Sequence, residues 1–132
     1  MSRTEPFVIH EQECQFEGSD EPVSGRVRWR TLLSADRTPT ASLTVGVAEL
    51  EPGEVRDLHL HQHAQAEVYY ILSGEGIVTI SGTEYAVRPG SAVFVPGNAV
   101  HGALNTGAEL LRLLYVFPAD SFDQIQYEFP TS

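Results

Sequence analysis

Cysteine is nearly absent. Cys14 is the only one in 132 residues, so no disulfide can form within the chain and a reducing setting is expected. Its acidic neighbours Glu11 and Glu13 disfavour a thiolate, which argues against a nucleophile. Basic residues are also scarce, eight Lys and Arg against 18 Asp and Glu, a net charge of −10 with neutral histidines. Such a surface repels nucleic acid and anionic membrane, and neither is expected as a partner. No apolar run approaches the ~18 residues needed to cross a bilayer. The start MSRTEPF lacks the basic and apolar regions of a signal peptide, so a cytoplasmic location is expected. Long stretches with apolar residues at i, i+3, i+4 and i+7 are missing too, which leaves little room for helix.

What the chain does contain is 42% hydrophobic residues, too many for disorder, distributed in short runs rich in Val, Ile, Leu, Thr and Tyr. These fall at 26–33, 42–50, 55–61, 67–72, 77–80, 85–87, 92–95 and 110–117. Eight short strands at regular spacing predict an all-β sandwich or barrel in one domain. Ser81-Gly82, Arg88-Pro89-Gly90 and Pro96-Gly97-Asn98 supply turns that tolerate positive φ, and they imply antiparallel neighbours. Residues 1–25 are acidic and polar, with loop chemistry around 18–22, and are assigned to a covering arm. The barrel is expected over 26–118. A second arm spans 119–132, opening on a helical turn capped by Asp120 or Ser121 and returning to an extended pattern over 125–129.

Three of the five histidines stand at 59, 61 and 63. In one extended segment all three would share a face. Burying three imidazoles without a partner costs several kcal/mol, and a metal ion is the natural partner, whereas a solvent-facing stripe is the ordinary alternative. Glu67 follows after a connection short enough to fold a carboxylate back toward the rings. His101, directly after the Pro96-Gly97-Asn98 turn, is placed to begin a strand at the same barrel mouth. Three nitrogens and one oxygen suit a divalent transition metal with positions left open for substrate.

Gly53, His61-Gln62-His63, Glu67 and Gly74 resemble the first cupin motif, and Gly90, Pro96, Asn98, His101 and Asn105 resemble the second. The gap after Gly53 is longer than usual, and Asn98 stands where the strict pattern has glycine, a position whose left-handed backbone Asn also adopts. The resemblance implies a double-stranded β-helix, a jelly-roll barrel with N- and C-terminal arms. It implies His61, His63, Glu67 and His101 as ligands of one divalent ion such as Fe, Mn, Ni, Zn or Co. His59 then sits behind the ligands or on the substrate side. Over most of the chain the sequence further resembles small single-domain cupin lyases that cleave dimethylsulfoniopropionate into dimethyl sulfide and acrylate. By that resemblance Tyr69 and Tyr127 flank the metal, and either would serve as base for a β-elimination. Their ordinary roles would be core filling and packing of the C-terminal arm. Where some of these lyases have another pocket tyrosine, this chain has Phe94.

Two other classes share the same ligand set: an iron oxygenase, and a non-catalytic module that binds metal or a small ligand. Trp29 reads as part of a half-exposed edge strand. Arg56 and Arg112 read as surface partners of neighbouring acids. A homodimer is expected, with the extended segments near 26–33 and 125–129 crossing to a neighbour.

Overall fold

The computed structural model describes residues 4–18, 27–53 and 58–129. Arg56, residues 55–57 of the expected third strand and the 19–22 part of the expected loop lie outside them. Among the described residues nine strands form: β1 (Val27–Leu33), β2 (Thr44–Leu50), β3 (Leu58–His61), β4 (Glu67–Ser73), β5 (Gly76–Ile80), β6 (Thr83–Val87), β7 (Ala92–Val95), β8 (His101–Asn105) and β9 (Leu111–Phe117). They make a five-stranded sheet in the order β1-β2-β9-β4-β7 and a four-stranded sheet in the order β3-β8-β5-β6. Every pairing is antiparallel. Among the described residues helix is confined to two short 3-10 turns, Glu11–Glu13 and Phe122–Gln124, the second with Ser121 at its cap position.

Alternation along the strands explains the layering. In β4 the odd-numbered Glu67, Tyr69 and Ile71 are buried while Val68, Tyr70 and Leu72 are exposed. In β9, Leu111, Leu113, Tyr115 and Phe117 are buried on one face. These rows join Leu50, Val78, Val95 and Ala103 in one core. The β5–β6 hairpin turns on Ser81 (φ 48°) and Gly82 (φ 85°), two consecutive left-handed residues as the right-handed strand twist demands. β8, which the strand propensities do not reveal, has the weak strand formers Gly, Ala and Asn. It is held by pairing with β3 on one side and β5 on the other.

The described parts of both arms fold onto their own barrel. Glu17 exchanges two backbone hydrogen bonds with Trp29, at 2.7 and 3.0 Å, and so lines the free edge of β1. The arm also covers the outer face of that sheet. There Arg28, Glu49 and Arg112 are direct cross-strand neighbours on β1, β2 and β9. Glu49 accepts from both guanidinium groups, and Glu11 of the arm pairs with Arg112 and Arg30. Phe16 lies under the Arg28 and Arg30 guanidinium groups at 4.0 and 3.9 Å, close enough for cation–π attraction. At the other end, Glu128 exchanges backbone hydrogen bonds of 2.9 and 2.8 Å with Gln62.

Candidate metal centre

Three loops meet at the mouth between the sheets. His61 ends β3, His63 follows it, Glu67 opens β4, and His101 opens β8 directly opposite His61. The turn at Pro96-Gly97-Asn98 packs against the short link from His63 to Glu67. The Asn98 N–H, in a left-handed residue (φ 66°), donates to the His63 carbonyl at 2.7 Å. A Cβ on Gly97 would collide with the Ala64 carbonyl oxygen. All four site residues are buried, His101 completely.

The orientation of each imidazole is set by its own backbone. His61 Nδ1 lies 2.7 Å from the His59 carbonyl, His63 Nδ1 2.9 Å from that of Gln65, and His101 Nδ1 2.8 Å from that of Ala99. A carbonyl only accepts, so each Nδ1 carries the proton, and in a neutral ring each Nε2 is left with a bare lone pair. Those Nε2 atoms converge on a carboxylate. His101 Nε2 is 3.1 Å and His63 Nε2 3.3 Å from Glu67 Oε1. His63 Nε2 is buried without hydrogen-bond geometry to any partner.

One ligand atom from each of the four residues lies within 4.8 Å of the others. Lone pairs facing a carboxylate in a buried site are mutually repulsive, and a cation among them removes the conflict. The donor set therefore fits a divalent transition metal. The protonation states suit it as well. Burial, reinforced by the neighbouring His101, pushes the His61 pKa down to about 4.

His59 does not join the cluster. The β3–β8 register shifts between Leu58 and His61, and the strand ends at His61, so the period-two alternation across 59, 61 and 63 is broken. Its contribution is the carbonyl that orients His61. Tyr69 and Tyr127 both reach the site, from different sides. Tyr69, on the inner face of β4, is only 2% exposed, and its ring centre is 6.3 Å from that of His101. Burial, then the Glu67 charge, raises its pKa well above 10. Tyr127 comes from the C-terminal arm, with ring centres 5.4 and 5.5 Å from those of His61 and His63. It is 39% exposed, and burial of its remainder followed by the Glu67 charge also raises its pKa.

A cavity of about 550 Å³ opens from this end into the barrel. Its far walls are aromatic, with Trp29, Tyr115, Phe117 and Phe122 among them. Phe117 links the two ends, 5.2 Å from His63 and 5.8 Å from Phe122 between ring centres. These wall residues were not among the sequence-based candidates. Alternation was the available signal, since Trp29 sits between outward Arg28 and Arg30 and so faces in. Trp29 does lie on an edge strand, as expected, but its ring serves the cavity. Phe94 is a correction: it is 64% exposed on the outer side of β7, between buried Val93 and Val95. It does not line the cavity, because its strand position points it away from the barrel. Arg112 pairs with Glu49 and Glu11 outside the cavity.

Residues 46–117 match the cupin domain family. The chain is a cupin. It is 39% identical over 127 residues to the dimethylsulfoniopropionate lyase DddW of Ruegeria pomeroyi, across 96% of this chain and 82% of that one. An oxalate-binding protein of Thermotoga maritima is 32% identical over 70% of this cupin and 75% of its own length. Among solved structures, the polyketide cyclase RemF of Streptomyces resistomycificus superposes with a TM-score of 0.77 at 21% identity. That match covers 97% of this chain and 89% of the other, and it confirms the jelly-roll fold. No helix among the described residues is long and apolar enough to cross a membrane.

Proposed function

We propose that this cupin is a metal-dependent lyase that cleaves dimethylsulfoniopropionate, or a closely similar small carboxylate, by β-elimination. The reading is carried by the pair of phenols, Tyr69 and Tyr127, on two sides of a buried three-histidine, one-glutamate donor set. The 39% identity to a dimethylsulfoniopropionate lyase over nearly the whole chain supports it. A divalent ion held by His61, His63, Glu67 and His101 would supply a Lewis acid for the substrate carboxylate and a positive field that favours ionised phenol.

The chain's own residues supply the rest. Tyr127 stands on the open side of the site and, as the phenolate, takes the α-proton on its oxygen and becomes the neutral phenol. Tyr69, enclosed beside Glu67, keeps its proton and donates a hydrogen bond toward the carboxylate end of the substrate. The aromatic walls exclude water and present ring faces to a cationic sulfonium. As the α C–H bond breaks, its electrons form the carbon–carbon double bond of acrylate and the C–S bond breaks. The sulfur keeps that bond pair and leaves as neutral dimethyl sulfide.

The test is metal analysis of the purified protein, followed by anaerobic headspace measurement of dimethyl sulfide after metal is restored. Equal amounts of dimethyl sulfide and acrylate are expected without dioxygen. Absence of product with every divalent ion tried would remove the lyase reading. Dioxygen uptake with a small carboxylate would identify an oxygenase instead.

A further inference from the structure

The cavity is larger than the smallest substrate that the lyase reading assigns to it. Dimethylsulfoniopropionate has eight non-hydrogen atoms, which at the ~30 Å³ claimed by a water molecule fill roughly 240 Å³. That is less than half of the 550 Å³ available. The surplus lies away from the metal donors. From His63 a chain of ring contacts leads through Phe117 to Phe122 and on to Trp29, with successive ring centres 5.2, 5.8 and 6.2 Å apart. Two small residues on the inner face of β2 keep this half hollow. Ala48 lines the cavity between its cross-strand neighbours Trp29 and Leu113. At Gly46 a Cβ would overlap the Tyr115 hydroxyl and ring, so the missing side chain lets that phenol rest on the β2 backbone.

Two polar atoms in these walls are unanswered. Trp29 Nε1 and Tyr115 Oη are buried without a hydrogen-bond partner, and Tyr115 as a whole is only 5% exposed. An indole N–H only donates and a phenol can donate, so an acceptor oxygen satisfies either one. The charges in the wall are already matched, because Arg37 donates to both Glu17 oxygens, and neither calls for a charge on the ligand.

We propose that the half of the cavity beyond the metal donors is a subsite for a bulky neutral group, aryl or branched alkyl, that carries one acceptor oxygen. Resting on the lyase reading, this makes the preferred substrate a β-sulfoniopropionate with such a group on sulfur in place of one methyl. The same bonds form and break, and the leaving group is the corresponding larger thioether.

Trp29 is the only tryptophan of the chain, so its fluorescence reports on this subsite without turnover. In the Zn²⁺-loaded protein, phenylpropionate should change the emission and, by calorimetry, bind ~30-fold more tightly than propionate, the gain expected from burying one phenyl ring. A methoxy group at one of the ring positions should add roughly 3- to 10-fold, the yield of one hydrogen bond. Ala48→Leu, with folding checked by circular dichroism and metal content by mass spectrometry, fills the hollow and should cut the preference for phenylpropionate to a small fraction of its original size. Unchanged Trp29 emission, a phenylpropionate affinity no better than that of propionate, methoxy compounds that gain nothing, or a folded Ala48→Leu variant that keeps the full preference would each overturn the proposal. The measurements on the unaltered protein decide the matter even where the variant does not fold. Dimethyl sulfide release without a fluorescence response leaves the lyase reading standing and removes the subsite, whereas a fluorescence response without lyase activity does the reverse.

Discussion

Tyr127 combines two properties that Tyr69 does not: ring contact with two of the ligand imidazoles and an edge open to solvent. Removing its hydroxyl leaves the donor set untouched. Tyr127→Phe should therefore lower kcat by ~10²-fold or more, the usual scale for loss of a general base, while metal content measured by mass spectrometry stays at the wild-type level. Glu17 makes a second residue-scale case. Its carboxylate accepts from Arg37 at 2.7 and 2.9 Å and from Thr31 at 2.6 Å. The Arg37 hydrogen bond, opposed by burial, holds its pKa below the usual 4.5. A carboxylate with a lowered folded-state pKa stabilises the protein above its unfolded value and loses that contribution as pH falls through the folded one. Glu17→Gln should accordingly lower the thermal midpoint at pH 7, and the gap from wild type should close as pH drops below 4.5.

At the scale of elements, the site depends on how the turn before β8 meets the link before β4. Gly97 has no side chain because the Ala64 carbonyl occupies the space a Cβ would need. Gly97→Ala must push that link outward, and the link carries both His63 and the start of β4. Overpacking of this kind costs ~1–3 kcal/mol. The expected result is a lower unfolding midpoint in urea together with at least ~10-fold weaker metal affinity by competition with a chelator. Unchanged metal affinity would show that the two loops move independently. The C-terminal arm has a different logic. Its two backbone hydrogen bonds to Gln62 and the Gln65 side-chain bond to the Gln124 carbonyl tie Tyr127 to the segment that bears the histidines, so the proposed base and the candidate metal donors share one frame.

For the whole molecule, the candidate metal centre joins strands of both sheets, since His61 and His101 come from one and Glu67 from the other. An ion bound there should act as a staple. At a free metal concentration 100 times Kd the gain is ~2.7 kcal/mol, which for a domain of this length is roughly 10 °C in Tm. Stripping the metal with a chelator and restoring it should lower and then recover the calorimetric midpoint. A midpoint indifferent to metal would mean that the ligands are not bridged.

Turn chemistry, strand alternation and the His61, His63, Glu67 and His101 spacing could be read directly from the residues, because each is a local pattern with a fixed period or a required backbone conformation. The same holds for Trp29 in hindsight, whose inward direction follows from its place between two arginines. Other features depended on partners distant in the chain. His59 left the expected shared face because a register shift with β8 interrupts the alternation. Phe94 turned outward because burial of Val93 and Val95 fixes the pleat of β7. The weak strand formers of β8 became a strand only through neighbours on both sides. Local sequence thus decided which residues carry metal-binding chemistry. Tertiary packing decided which of them meet, since convergence depends on strand register and loop contact between segments far apart in sequence.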